Sequence, residues 1–200
     1  QRAIQRMIRL QCEMGGKNPL VVLDDADLDT AVNCALDGAF FQTGQRCTAS
    51  SRLLVTEGIH DRFVEALTGR LKTLVIDHSL KPGVHVGPAV DSRQLEKDLR
   101  YMEIGRSEGA TVKLQGGVLK RDTPGYFISP TLFVETHNQM RINREEIFGP
   151  IAAVIRVKDY DEALAVANDT EYGLSAGICT TSRKHARHFQ MNAQSGLVMV

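Results

Sequence analysis

A thiol and three other side chains stand in local settings that suit chemistry. Cys47 lies in "FFQTGQRCTASS" (40–51), among small polar residues and just past Gly44. "CTASS" reads as the start of another helical turn. Free N–H groups there, with Arg46 alongside, would lower the thiol pKa and favour the nucleophilic thiolate. The same residue is also compatible with the commoner fate of a cysteine, a small buried hydrophobe. Glu13, in "CEMGGKNP" (12–19), ends an apolar run directly before Gly15 and Gly16. A carboxylate beside a thiol can act as general base if its surroundings raise its pKa, and Cys12, Met14 and the preceding apolar residues are the expected source of that desolvation. Taken alone, the local sequence fits an ordinary turn carboxylate better.

In "NREEIFGP" (143–150), Glu146 is placed to accept hydrogen bonds from sugar hydroxyls and Phe148 to pack on a ring, unless the run is a polar loop before a strand. Gly15-Gly16-Lys17-Asn18 is not a phosphate loop, and no G-x-G-x-x-G occurs in the 200 residues, so a dinucleotide's pyrophosphate would be held elsewhere. His185 and His188, three apart on an expected helix, lack a third metal ligand and read as part of a solvated basic face. Cys34 and Cys179 fall inside apolar patterns and read as buried hydrophobes.

The elements that must hold these groups alternate. "PLVVL", "RLLVT", "YFISPTLFVE", "IAAVIRV", "LSAGICTT" and "LVMV" are strand-like. Leu28, Val32, Ala35, Leu36 and Ala39 share a helical face, as do Ile59, Phe63, Leu67, Leu71 and Leu74. Leu95, Leu99 and Met102 mark another helix, which Gly105 or Gly109 should stop. "DYDEALAVAND" opens with Asp159 and Glu162 in capping-box spacing, and "SRKHARHFQMN" is a further helix. Gly116 to Gly125 reads as a surface loop. Strand–helix alternation implies an α/β fold, a mainly parallel twisted sheet with helices on both faces.

Composition narrows the partners. With 24 Lys plus Arg against 24 Asp plus Glu, no basic field points to nucleic acid or an anionic membrane surface. The apolar runs are too short to span a membrane. The four cysteines show no metal-finger or disulfide-framework spacing, and reduced thiols in the cytoplasm are expected. Starting at Gln1 and stopping in a strand, the sequence reads as a piece of a longer protein.

"EMGGK" (13–17), "GQRC" (44–47) and "EEIFGP" (145–150), in that order and with Cys47 placed 34 positions after Glu13, resemble the signature segments of the NAD(P)-dependent aldehyde dehydrogenase superfamily. "YGLSAGICT" and "SGLVMV" resemble it too. The resemblance implies residues 1–16 as the end of the dinucleotide-binding domain or an interdomain segment, and 17–200 as the catalytic domain. Cys47 would attack the aldehyde carbon to give a thiohemiacetal, with its own N–H helping to hold the oxyanion. Hydride transfer to NAD or NADP would leave a thioester, and Glu13 would deprotonate the water that hydrolyses it. Glu146 and Phe148 would position the nicotinamide ribose and ring. The family also implies a small-molecule aldehyde substrate and a homodimer or homotetramer.

"TGQRCTASSR" resembles the branch oxidising α-ketoglutarate semialdehyde, where Arg46 would meet the substrate carboxylate unless it is structural. Two other classes fit parts of the pattern: a cofactor-free thiol hydrolase or thioesterase, which leaves "EEIFGP" without a task, and a non-catalytic assembly domain. On the family reading the 200 residues alone oxidise no aldehyde. Reduction of NAD(P) by this chain, above a Cys47→Ala control, would overturn that expectation.

Overall fold

The computed structural model describes residues 2–200. A short helix α1 (Arg2–Gln5) precedes an exposed segment reaching Gly15. The sheet elements follow as β1 (Pro19–Val22), α2 (Leu28–Ala39), β2 (Arg52–Thr56), α3 (Glu57–Lys72), α4 (Ser92–Ser107), β3 (Thr111–Leu114), β4 (Thr131–Val134), α5 (Arg141–Arg144), β5 (Ile151–Val157), α6 (Tyr160–Asn168), β6 (Ser175–Cys179), α7 (Arg183–Asn192) and β7 (Leu197–Met199). The seven strands lie in the order β3-β4-β5-β2-β1-β6-β7. Every pairing is parallel except that of β3 with β4. Because parallel strands need a crossover, helices are laid over both faces.

Period-two alternation sorts β1 between those faces. Leu20 and Val22 pack with α2 and α3, and Val21 and Leu23 pack with α6 and α7. That is why "PLVVL" is apolar throughout. A third cluster sets Tyr101 and Met102 of α4 on Phe133, Ile151 and Ala153. Caps fix the helix starts: Asp27, Asp91, Asp159 and Ser182 accept from backbone N–H groups of the first turns of α2, α4, α6 and α7. Glu162 reaches back to the N–H of Lys158, one residue before the cap, at 2.7 Å. The α3 start is capped from β1's side, where Asp24 accepts from Ile59 N–H and the Thr56 hydroxyl.

Several expectations need correction. No helical turn begins at Cys47. A single turn is closed by Ala49 N–H on the Arg46 carbonyl at 3.0 Å, and the chain then enters β2. Cys34 is exposed because its position on α2 faces a cleft; Cys179, on the same cleft, is half-buried and packs against the cluster under α2 and α3. "YFISPTLFVE" is a strand only at its second half, since Pro130 lacks an N–H to give; Tyr126 and Ile128 make isolated bridges. α4 runs through Gly105, which lies under the Phe133 ring, and stops before Gly109, the residue with φ +89°. Leu74 falls past the end of α3. β3, with exposed and half-exposed residues only, had no apolar signal to announce it.

Three buried ionisable side chains shape the stability. Arg52, fully buried, donates to the carbonyls of Lys17, Val166 and Ala167 and to Asn138 Oδ1. It thereby ties the start of β2 to the end of α6. Lys17 is 1 % exposed with no partner for Nζ; burial and then Arg52 push its pKa down to about 7, against the pull of Glu146. Asp98 on α4 accepts from Gln94 Nε2 at 2.7 Å through Oδ1, but buried Oδ2 has no partner, and desolvation raises its pKa to about 7.

Folded Asp98 therefore keeps a proton that the unfolded chain releases near pH 4. Its contribution favours folding most at acid pH and is lost as pH rises toward about 7, at up to about 1.4 kcal/mol per pH unit. Denaturant unfolding of Asp98→Asn across this window should lose that downward slope and gain stability at pH 8. A slope unchanged from the parent would show that Asp98 does not titrate in this range.

Candidate active site

The three sequence motifs meet because of strand order. Residues 13–18 lead into β1, 44–51 into β2 and 145–150 into β5, and these are three adjacent parallel strands, β5-β2-β1. Their amino ends lie side by side along one edge of the sheet. One crevice at that edge is lined by Gly16, Gly44, Arg46, Glu146, Phe148 and Gly149.

Contact there is backbone on backbone. A Cβ at Gly16 would lie 2.5 Å from the Cys47 carbonyl oxygen, and one at Gly44 would lie 2.2 Å from the Gly149 carbonyl oxygen. Only residues without side chains permit either approach. Asn18, 2 % exposed, braces the arrangement. Its Nδ2 donates to the carbonyls of Cys47 (2.8 Å) and Ala49 (2.9 Å), while Oδ1 accepts from Ser175 N–H (3.0 Å) at the start of β6. The Cys47 thiol is half-buried, and its backbone N–H has no acceptor among the described residues.

The turn carrying Cys47 is held from behind. Arg46 donates to the carbonyls of Asp37 and Gly38 at the end of α2, and Ser50 N–H donates to Gly38 as well. The guanidinium thus satisfies helix-terminal carbonyls. Just before, Gln42, Thr43 and Gly44 are all left-handed, with φ of 55°, 60° and 65°. The buried Thr43 hydroxyl, donating to Gly87 O at 3.0 Å, pins this bend.

Glu146 joins the first motif to the third. Its Oε1 accepts from Gly16 N–H at 2.8 Å, and its carboxylate leaves no room for a side chain at Gly15. Phe148 is half-buried with φ +65°, a conformation costing a bulky residue about 1–3 kcal/mol. The loop is kept there by Gln94 Nε2, which donates to the Ile147 carbonyl at 3.1 Å, and by Gly149 lying on the Asp98 carboxyl.

Glu13 is exposed, as are Cys12 and Met14, so the expected desolvation by these neighbours is absent within the described residues. Its position is nonetheless bounded. Three peptide units separate it from Gly16, so their Cα atoms are at most about 11 Å apart. Sequence reasoning missed Asn18, Lys17, Gln94 and Asp98. A polar residue opening an apolar strand, as Asn18 does before "PLVVL", was the available signal. His185 stacks on Tyr160 at 4.5 Å between ring centroids and His188 Nδ1 lies 2.7 Å from the Tyr160 hydroxyl. No group of metal ligands, and no helix long and apolar enough to cross a membrane, occurs among the described residues.

Known proteins resemble this chain in sequence and in fold. The aldehyde dehydrogenase family profile matches residues 1–200. An alpha-ketoglutaric semialdehyde dehydrogenase of Bacillus subtilis is 43% identical over 202 residues, covering 100% of this chain and 41% of its own length. Bovine aldehyde dehydrogenase 1A1 is 45% identical over 192 residues, 96% of this chain and 38% of its own. Among solved structures, a betaine aldehyde dehydrogenase from Staphylococcus aureus in complex with NAD+ superposes with a TM-score of 0.92 at 34% identity, covering 98% of this chain and 40% of that one. The chain thus spans about two fifths of the length of these relatives. With all of residues 1–200 matched by the family profile and its three motifs gathered at one sheet edge, the chain belongs to the aldehyde dehydrogenase family.

Proposed function

We propose that this chain is the catalytic portion of an enzyme that oxidises an aldehyde to a carboxylic acid with NAD or NADP. The carrying observation is that one segment, Gly15 to Asn18, is fastened both to the Cys47 turn and to the Glu146 loop. Residues 17–200 form the catalytic domain in this reading, and 1–16 are the end of the dinucleotide-binding domain or an interdomain segment.

Cys47 Sγ attacks the aldehyde carbon. Its free backbone N–H is available to the oxygen on which charge builds. A bound nicotinamide supplies the hydride acceptor, which leaves the substrate as a thioester on Cys47. Glu146 suits a ribose, because one oxygen is held by Gly16 and the other keeps its lone pairs for hydroxyls. Phe148 offers a ring fixed by its loop. Glu13 then takes a proton from water, the hydroxide adds to the thioester carbonyl, and the acid leaves as the thiolate is released. Its exposure on the segment before Gly16 supports access to water.

"EEIFGP" has a task here, which it lacks in a cofactor-free thioesterase, and NADH formation by the whole protein separates the two. We place that protein in the cytoplasm as a homodimer or homotetramer, supported by family membership and the free cysteines. For the substrate we propose α-ketoglutarate semialdehyde, supported by the Bacillus relative and by a Haloferax volcanii one named for the same activity, also 43% identical.

In the whole protein, Cys47→Ala should abolish NADH formation. Glu13→Gln should keep a single-turnover burst while steady turnover falls about 10²–10⁴-fold. Undiminished steady turnover in that variant would remove Glu13 from the mechanism. A kcat/KM no higher for α-ketoglutarate semialdehyde than for a plain aliphatic aldehyde would remove the substrate assignment alone.

A further inference from the structure

We propose that Cys34 and Cys179 form a second thiol centre, which closes to an intramolecular disulfide by exchange with a small disulfide of the oxidised-glutathione class. This inference does not depend on the aldehyde reaction. Cys34 stands exposed on α2, and Cys179 is the last residue of β6, half-buried against the cluster under α2 and α3. Both line one cleft of about 660 Å³, with Leu20 and Ile178 of the sheet and Leu197 of the edge strand around them. A small reagent can therefore reach the pair. Cys34 is the open member of the pair, and the Cys179 thiol is pushed up to about 12 by burial first and then by Cys34.

This asymmetry orders the exchange. The Cys34 thiolate attacks the reagent's disulfide, making a mixed disulfide and expelling one small thiolate. Capping removes the charge beside Cys179. Cys179 then gives its proton to solvent and attacks Cys34 Sγ, and the second small thiolate leaves. Two protein thiols and one small disulfide become one protein disulfide and two small thiols, with two electrons passed to the reagent. The new bond would join α2 to β6. The end of α2 also holds Arg46 and Ser50 around the Cys47 turn, so the link fixes the support of that turn without using Cys47.

The test is incubation of the chain with oxidised glutathione, alkylation of remaining thiols and peptide mapping without reductant. A Cys34–Cys179 cross-linked peptide pair should form, disappear with dithiothreitol, and be absent from Cys34→Ser and Cys179→Ser. It should persist in Cys47→Ser, and the denaturation midpoint should rise on oxidation. Glutathione remaining on Cys34 alone, a disulfide using Cys12 or Cys47, or no loss of thiols at positions 34 and 179 would each overturn the proposal.

Discussion

At the candidate site, main chain packs directly on main chain. Gly16 lies against the carbonyl of Cys47, and Gly44 lies against the carbonyl of Gly149. Interactions through side chains can lengthen or rotate by an ångström at little cost, whereas packed backbones cannot. The spacing between the thiol's turn and the Glu146 loop is therefore set by the sheet itself. Adjacent parallel strands are about 4.8 Å apart, and the three loops inherit that separation at their strand ends. A side chain at position 16 or 44 would have to push a loop away from its strand.

Placing polar backbone so tightly leaves donors and acceptors that water cannot reach, and the surrounding residues answer this. Asn18 uses both ends of its amide to serve three segments. Arg52 spends its guanidinium on three carbonyls and an amide oxygen, and Arg46 on two carbonyls. Each of these side chains ties its own segment to a neighbouring one, so the edge is cross-linked by hydrogen bonds. Lys17 and Asp98 are among the buried side chains with a polar atom unmatched, and both lie beside loops of the candidate site. Unmatched groups of this kind weaken a fold, and their position at the site is where such a cost is commonly tolerated.

The fold was largely legible because its strands and helices are buried in simple periods. Val21 and Val22 face opposite layers, as an apolar run in a covered parallel sheet requires, and the face of α2 is the one its spacing shows. Motif identity likewise carried Cys47, Glu146 and Phe148 to a common edge. What escaped was set by distant contacts. Whether Cys34 is covered depends on where β6 and β7 end, over 140 residues later in the chain. β3 has no buried residue and exists as a strand only because β4 offers it an edge. The turn after Cys47 reads as a helix start, but Ser51 and Arg52 are already committed to strand pairing.

Because β1 occupies a middle position, flanked by β2 and β6, the order of synthesis runs against the order of assembly. A ribosome emits Glu13 and Cys47 before the strand that follows the Glu146 loop at Ile151, and the Ser175 amide that completes Asn18 comes later still. Until then the nascent β1–α2–β2 unit shows two open strand edges and an unmatched buried amide. An open strand edge is a template for mispairing, so this topology leaves the nascent unit in need of cover until β6 has emerged from the exit tunnel.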